Sequence, residues 1–191
     1  MTVQSDDLVL LARRAVRGDA ASLDALVREL QPLVVRTVRL IVGSGSCAAE
    51  DAAQDALVDI VHGIGMLRTP EAVRAWGLRV ATTRALKVAR RERLLSLRRG
   101  ELIEQDLAVQ PSERRPAALK EAFDRLPPRL RATAVLRLHA GLSESETAEV
   151  MGCSLGTVKS NLHDARKRLA ASLGESGFTP VVLLQRIEEI A

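Results

Sequence analysis

Aromatic side chains are nearly missing from this 191-residue chain. Trp76, Phe123 and Phe178 are the whole set, and there is no tyrosine. Sandwiches and barrels depend on aromatic and β-branched strands. Their scarcity, beside abundant Ala, Leu and Arg, argues for helices. Cysteine is scarce too, and Cys47 and Cys153 cannot make a disulfide framework. No apolar run approaches the roughly 20 residues of a membrane-spanning helix. The opening stretch MTVQSDDLVLLARR puts acids before a short apolar run, which is not the pattern of a secretory leader. His62, His139 and His163 have no metal-ligand spacing with the cysteines. There is no phosphate-binding glycine loop and no GxSxG elbow. Neither enzyme activity, cofactor nor metal is expected. With 47% hydrophobic residues the chain is too apolar for disorder. The expectation is a cytoplasmic, all-α protein of one ordinary or two small domains, with no membrane insertion.

The net charge of +4 is informative only once divided along the chain. Residues 1–62 carry six Arg and nine acids, a net of −3. Residues 74–99 carry nine bases against Glu92, a net of +8. Residues 101–124 return to −3, and residues 153–170 reach +3. Two basic islands therefore stand in an acidic or neutral chain. Basic islands on helices suit phosphate contacts, because each neutralised phosphate releases counterions. A solvated Arg-rich face would look the same.

Helical spacing sets the order of elements. Ser5 can cap a first helix, with Leu8, Leu11, Ala12 and Ala15 on one face and Gly18 at its end. Asp19 caps a second helix, which carries Leu23, Leu26, Val27 and Leu30 and bends near Pro32. Residues 43–46, GSGS, form a loop. A third helix from about Ala48 turns Ala49, Ala52, Ala53, Ala56, Leu57 and Ile60 inward. Its other face shows Glu50, Asp51, Gln54, Asp55 and Asp59, and Gly63 and Gly65 break it. Thr69-Pro70-Glu71 starts a fourth helix that runs to about Leu95. Residues 96–117 lose periodicity and read as a flexible linker. A second unit follows: a short helix to Arg125, a Pro127-Pro128 break, a helix to Ala140, and two more helices.

Those last two helices hold the most specific signal. Ser143 and Glu146 form a capping-box pair, Ala148 and Met151 face inward, and Gly152 allows a tight turn. Ser154 can cap the next helix, whose stripe is Leu155, Val158, Leu162, Ala165, Leu169 and Leu173. Its outer face shows Thr157, Lys159, Ser160, Asn161, His163, Arg166 and Lys167. Two helices joined by a glycine turn, the second basic outside, make a helix-turn-helix whose second helix enters a major groove. The plainer alternative is an αα-hairpin with a solvated face.

The segment LPPRLRATAVLRLHAGLSESETAEVMGCSLGTVKSNLHDARKRL resembles the promoter-binding C-terminal domain of bacterial RNA polymerase sigma factors of the extracytoplasmic-function type. The N-terminal half agrees independently. LLARRAVRGDAASLDALVRELQP resembles that family's opening helices. AEDAAQDALVDIV resembles its polymerase-clamp helix, and RAWGLRVATTRALKVARR its minus-ten helix. The resemblance spans roughly residues 6–173.

It implies a division of labour. Residues 1–95 would be the region-two-like domain, 96–117 a linker, 118–175 the region-four-like helix-turn-helix domain and 176–191 a tail helix. Asp51, Gln54, Asp55 and Asp59 would meet the basic clamp helices of core RNA polymerase. Arg68, Arg74, Arg79, Thr83, Arg84, Lys87, Arg90 and Arg91 would contact promoter DNA at the minus-ten element. Thr157, Lys159, Ser160, Asn161, His163, Arg166 and Lys167 would contact it at the minus-thirty-five element. The loop His62–Thr69 would cradle an extruded base. An anti-sigma factor would be a further partner. Thr83 and Lys87 stand where the family often has Asn and Asp. Asn161 and Asp164 stand where it is often basic, which points to an unusual promoter.

Several points stay open. Trp76 suits core packing with Val73 and Val80 better than base stacking. Cys47 and Cys153 read as plain thiols before a redox pair. The tail from Thr179 could pack on the C-terminal unit, dock a partner or mark the chain for degradation. A stand-alone helix-turn-helix regulator and a sigma-like interaction module without promoter activity remain the alternatives.

Overall fold

The computed structural model describes residues 5–43, 46–98 and 115–173. Among these residues there are helices and turns but no strand. The tail and most of the expected linker lie outside the described residues. Helix α1 spans Ser5–Val16, α2 Ala20–Val42, α3 Cys47–Gly63 and α4 Val73–Arg98. Helix α5 spans Arg115–Asp124, α6 Pro128–Ala134, α7 Glu144–Met151 and α8 Leu155–Leu173.

Local chemistry explains the ends. Asp19 accepts from the backbone N–H groups of Ala21 and Ser22, and so caps α2. Helix α2 runs unbroken through Pro32, which lies on its exposed side. Between α3 and α4 the chain takes two 3-10 turns, Ile64–Met66 and Pro70–Ala72. The helix expected from Thr69 therefore tightens first and becomes α-helical only at Val73. Helix α6 runs directly into a π-helical turn, Val135–His139.

The missing aromatics have a packing counterpart. Helix α4 turns Gly77, Leu78, Ala81, Thr82, Ala85 and Ala89 inward. It meets the small stripe Ala49, Ala52, Ala53 and Ala56 of α3 and Leu26, Leu30, Val34 and Val38 of α2. Small side chains let helix backbones approach, so the core fills with methyl groups rather than rings. Trp76 packs against this core, as expected, and closely faces Gly63 of α3. A Cβ on Gly63 would lie 3.0 Å from the Trp76 ring.

The N-terminal unit α1–α4 and the C-terminal unit α5–α8 are packed on each other. Leu78 of α4 joins Leu136, Ala140, Leu142 and Val150 in one buried cluster, flanked by Leu33, Ala75 and Met151. Arg74 donates to the Ala140 carbonyl at 2.7 Å. Arg131, only 5% exposed, reaches across to the Val42 carbonyl at the end of α2.

Candidate polymerase and promoter surfaces

The acidic surface is built on α3. Asp51, Gln54 and Asp55 are exposed at successive turns of one face, opposite the buried alanines. Asp59 lies one turn further on and is not free. Arg84 of α4 grips it with two parallel bonds, Nε to Oδ2 at 2.5 Å and Nη2 to Oδ1 at 2.7 Å. The same guanidinium stands 3.6 Å from Asp55. Hydrogen bonding from Arg84 holds the Asp59 carboxyl below its ordinary range, and the pair raises Arg84 in return. Residues assigned from sequence to two different partners are thus bound to each other. Val58 (51% exposed) and Val61 extend the α3 surface with methyl groups that sequence reasoning passed over. Their position off the alanine stripe was the available signal.

The first basic surface is a line along α4. Arg79, Thr83, Lys87 and Arg90 are exposed at roughly helical repeats, with Arg91 beside them. Thr83 Oγ1 donates back to the Arg79 carbonyl, which turns its hydroxyl proton toward its own helix. Arg68 is exposed on the turn before α4. In the same loop Ile64 and Leu67 are buried while Met66 is 85% exposed. Arg74 is directed at the C-terminal unit rather than along this line.

The second basic surface is the outer face of α8. The expected capping box forms in full. Ser143 Oγ accepts from the Glu146 N–H, and the Glu146 carboxylate accepts from the Ser143 N–H at 2.7 Å. These bonds also hold the Glu146 carboxyl below its ordinary range. Gly152 takes the left-handed conformation at φ 60°, which an L side chain resists. Ser154 caps α8 by accepting from the Thr157 N–H at 3.1 Å. The resulting helix presents Lys159, Ser160, His163, Arg166 and Lys167 to solvent, with Asp164 and Arg168 among them. Lys159 has only a loose exposed partner, Glu144 at 3.8 Å. Thr157 is half-buried and shares a hydrogen bond with Ser154.

Two positions differ from the sequence expectation. Asn161 turns inward and donates to Thr133 Oγ1 at 3.0 Å, since its place on the helix faces α6. Leu155 leaves the apolar stripe and is 45% exposed, because the first turn of α8 overhangs the core. Val158, Leu162, Ala165 and Leu169 are buried as expected. Sequence reasoning also missed Arg131, which is buried in an apolar helix. An arginine at an inward position of LPPRLRATA was the signal. Among the described residues no group of His, Cys, Asp or Glu could hold a metal ion, and no helix is long and apolar enough to cross a membrane.

Among the described residues, one helical fold thus carries an acidic helix face, a basic helix and a capped helix-turn-helix. Comparison with known proteins agrees at both ends. The family model for sigma-70 region 2 matches residues 26–94, and that for sigma-70 region 4 matches residues 117–169. The ECF RNA polymerase sigma factor SigM of Mycobacterium tuberculosis is 33% identical over 171 residues, covering 90% of this chain and 86% of that protein. The fold is shared with CnrH, solved in complex with the cytosolic domain of CnrY, at TM-score 0.64 and 22% identity over 90% of this chain and 99% of that one. It is also shared with the Bartonella quintana sigma factor RpoE, solved with the anti-sigma factor NepR, at TM-score 0.61 and 22% identity over 78% and 97%. The chain belongs to the ECF RNA polymerase sigma factors, the subunits that direct core polymerase to promoters.

Proposed function

We propose that three surfaces of this sigma factor divide the work of promoter recognition. The acidic face of α3, Asp51, Gln54 and Asp55 with Asp59 at its edge, docks on basic helices of core polymerase. Charge complementarity would steer that encounter. The line Arg79, Thr83, Lys87, Arg90 and Arg91, with Arg68, Arg74 and Arg84 at its margins, lies along minus-ten DNA. Lys159, Ser160, His163, Arg166 and Lys167 of α8 contact the minus-thirty-five element, with Thr157 and Asn161 supporting that helix. An anti-sigma factor restrains the protein in the cytoplasm, in keeping with the complex in which one protein of the same fold, the Bartonella quintana sigma factor RpoE, was solved with the anti-sigma factor NepR. The polymerase performs the chemistry and this chain performs none.

The observation that carries this reading is the separation of charge by face: acids outward on α3, bases outward on α4 and α8. A dimeric repressor would need only the last. The test is to mix the purified chain with core polymerase and map transcripts from a promoter library. A stable core complex with new start sites is expected. Absence of both would reject the reading, and a core complex without transcription would favour a sigma-like interaction module.

A further inference from the structure

The first turn of α8 holds two residues that its own packing does not explain. Leu155, the first residue of the helix, is 45% exposed. Among the described side chains it is the one large hydrophobic of the C-terminal unit left so open. The apolar line that follows it, Val158, Leu162 and Ala165, is buried. Gly156 comes next in the chain and is exposed as well. Glycine is disfavoured in a helix relative to alanine, because it gives up more backbone freedom. The fold does not require it here. A Cβ on Gly156 would meet Ser154 Oγ at 3.7 Å, an ordinary contact, and no other helix of the described residues comes within 4 Å. Its backbone also lacks the positive φ taken by Gly152. The room beside Gly156 is therefore room toward the outside.

The polar groups of the same turn are already occupied. Ser154 Oγ accepts from the Thr157 N–H and shares a hydrogen bond with Thr157 Oγ1 at 2.9 Å. Lys159 stands one turn beyond Leu155 and Ser160 one turn beyond Gly156, and all four are exposed. The apolar pair thus continues the surface proposed to meet minus-thirty-five DNA. It does so at the N-terminal end of the helix, the end that contacts base edges in a helix-turn-helix. Leu155 also borders a shallow groove between α7 and α8 with Ser145, Glu149 and Cys153. The Glu149 carboxylate on that rim disfavours a phosphate and leaves an uncharged base edge as the better neighbour. In the major groove the apolar group on a base edge is the C5-methyl of thymine. A leucine is short beside the lysines and arginine of the same face. It reaches such a methyl only where the helix backbone comes close to the bases, and the missing side chain at position 156 permits that approach.

We propose that Leu155 reads a thymine methyl in the minus-thirty-five element, and that Gly156 is the gap that lets it reach. This assignment deepens the promoter reading above and rests on it.

The full chain bound to core polymerase is the reagent, and the probe is a promoter duplex recovered by the transcript mapping above. Each thymine of its minus-thirty-five element, on either strand, is replaced in turn by deoxyuridine, which pairs in the same way and lacks only the methyl. At one position affinity is expected to fall about fourfold, the worth of one buried methyl group. In Leu155→Ala that penalty is expected to vanish, while any penalty elsewhere is the same in both chains. Leu155→Met, which keeps an apolar tip, is expected to retain it. Gly156→Ala is expected to lower promoter affinity at least severalfold while melting at or above the wild-type temperature, because alanine favours the helix. A glycine with only a structural role would not divide those two readouts. Uracil tolerated at every position, or an element without thymine on either strand, overturns the assignment. If Leu155→Ala then still loses transcription, the leucine meets a protein partner instead. A penalty that survives Leu155→Ala gives the methyl to another side chain and overturns it too. Wild-type affinity in Gly156→Ala overturns the role of the gap. If the wild-type chain forms no promoter complex, the promoter reading fails and this assignment with it, whereas a promoter complex indifferent to uracil rejects the assignment alone.

Discussion

Helices α4 and α8 are both basic and both proposed to meet DNA, yet their charges are held in opposite ways. On α4, Arg84 is committed to Asp59 by two short bonds and Arg74 to the Ala140 carbonyl. On α8, Lys159, His163, Arg166 and Lys167 are exposed, and the only ion pair described among them is a 3.8 Å contact of Lys159. Helix α8 is ready as it stands, fixed by a capping box, a left-handed glycine and a serine cap. Helix α4 has part of its charge paired with a carboxylate of the protein's own surface. A sequence count of +8 against +3 therefore overstates the difference between the two surfaces.

The comparison can be broken most severely at the support of α4. Ile60 is fully buried between α3 and α4. Ile60→Ala should cost about 2–5 kcal/mol of unfolding free energy by denaturant titration, from lost burial and a residual cavity. It should disturb Asp59 and Arg84 while leaving the capping box of α7 intact. A smaller effect is expected where α8 is held. Ser143→Ala removes the capping acceptor of α7 and should cost about 1 kcal/mol in the same titration. A loss below a few tenths would show that the turn, and not the cap, sets the helix-turn-helix.

The Asp59–Arg84 pair sharpens the contrast. Both side chains are about one-third exposed, so Asp59→Asn should cost under about 1 kcal/mol. The Asp59 carboxyl is depressed in the folded chain. Its contribution is therefore present above the ordinary carboxylate pKa and is lost as pH falls through the lowered value. The gap in melting temperature between wild type and Asp59→Asn should close on acidification from neutral pH to well below the ordinary carboxylate range. At neutral pH the same change frees Arg84, so non-specific DNA affinity should rise. A fall would mean the pair positions α4 rather than masking it. The smallest effect on stability is expected from Lys159→Ala, within about 0.5 kcal/mol. It should reduce the slope of log affinity against log salt on minus-thirty-five DNA by about 0.9. An unchanged slope would take Lys159 off the contact surface.

Much of this was readable from local chemistry. The cap of α2 at Asp19, the Ser143–Glu146 box, the αL glycine and the buried line Val158, Leu162, Ala165 and Leu169 all follow from rules that act within a few residues. The misses lie where distant elements meet. Asn161 looked like a base reader because it sits on the polar side of α8, but α6 brings Thr133 to it. Leu155 continued the apolar spacing but falls on the overhanging first turn. The acids of α3 and the bases of α4 read as two surfaces, and nothing in either segment signalled that Arg84 bridges them.

The sequence by itself determined the helices, their caps, the helix-turn-helix and the charge on each face, because periodicity and capping are local properties of the chain. The tertiary structure alone decided which charges face solvent, where Arg131 is buried and that the two units share a core. Those outcomes depend on pairs as far apart as Val42 and Arg131, brought together by the packing of whole helices.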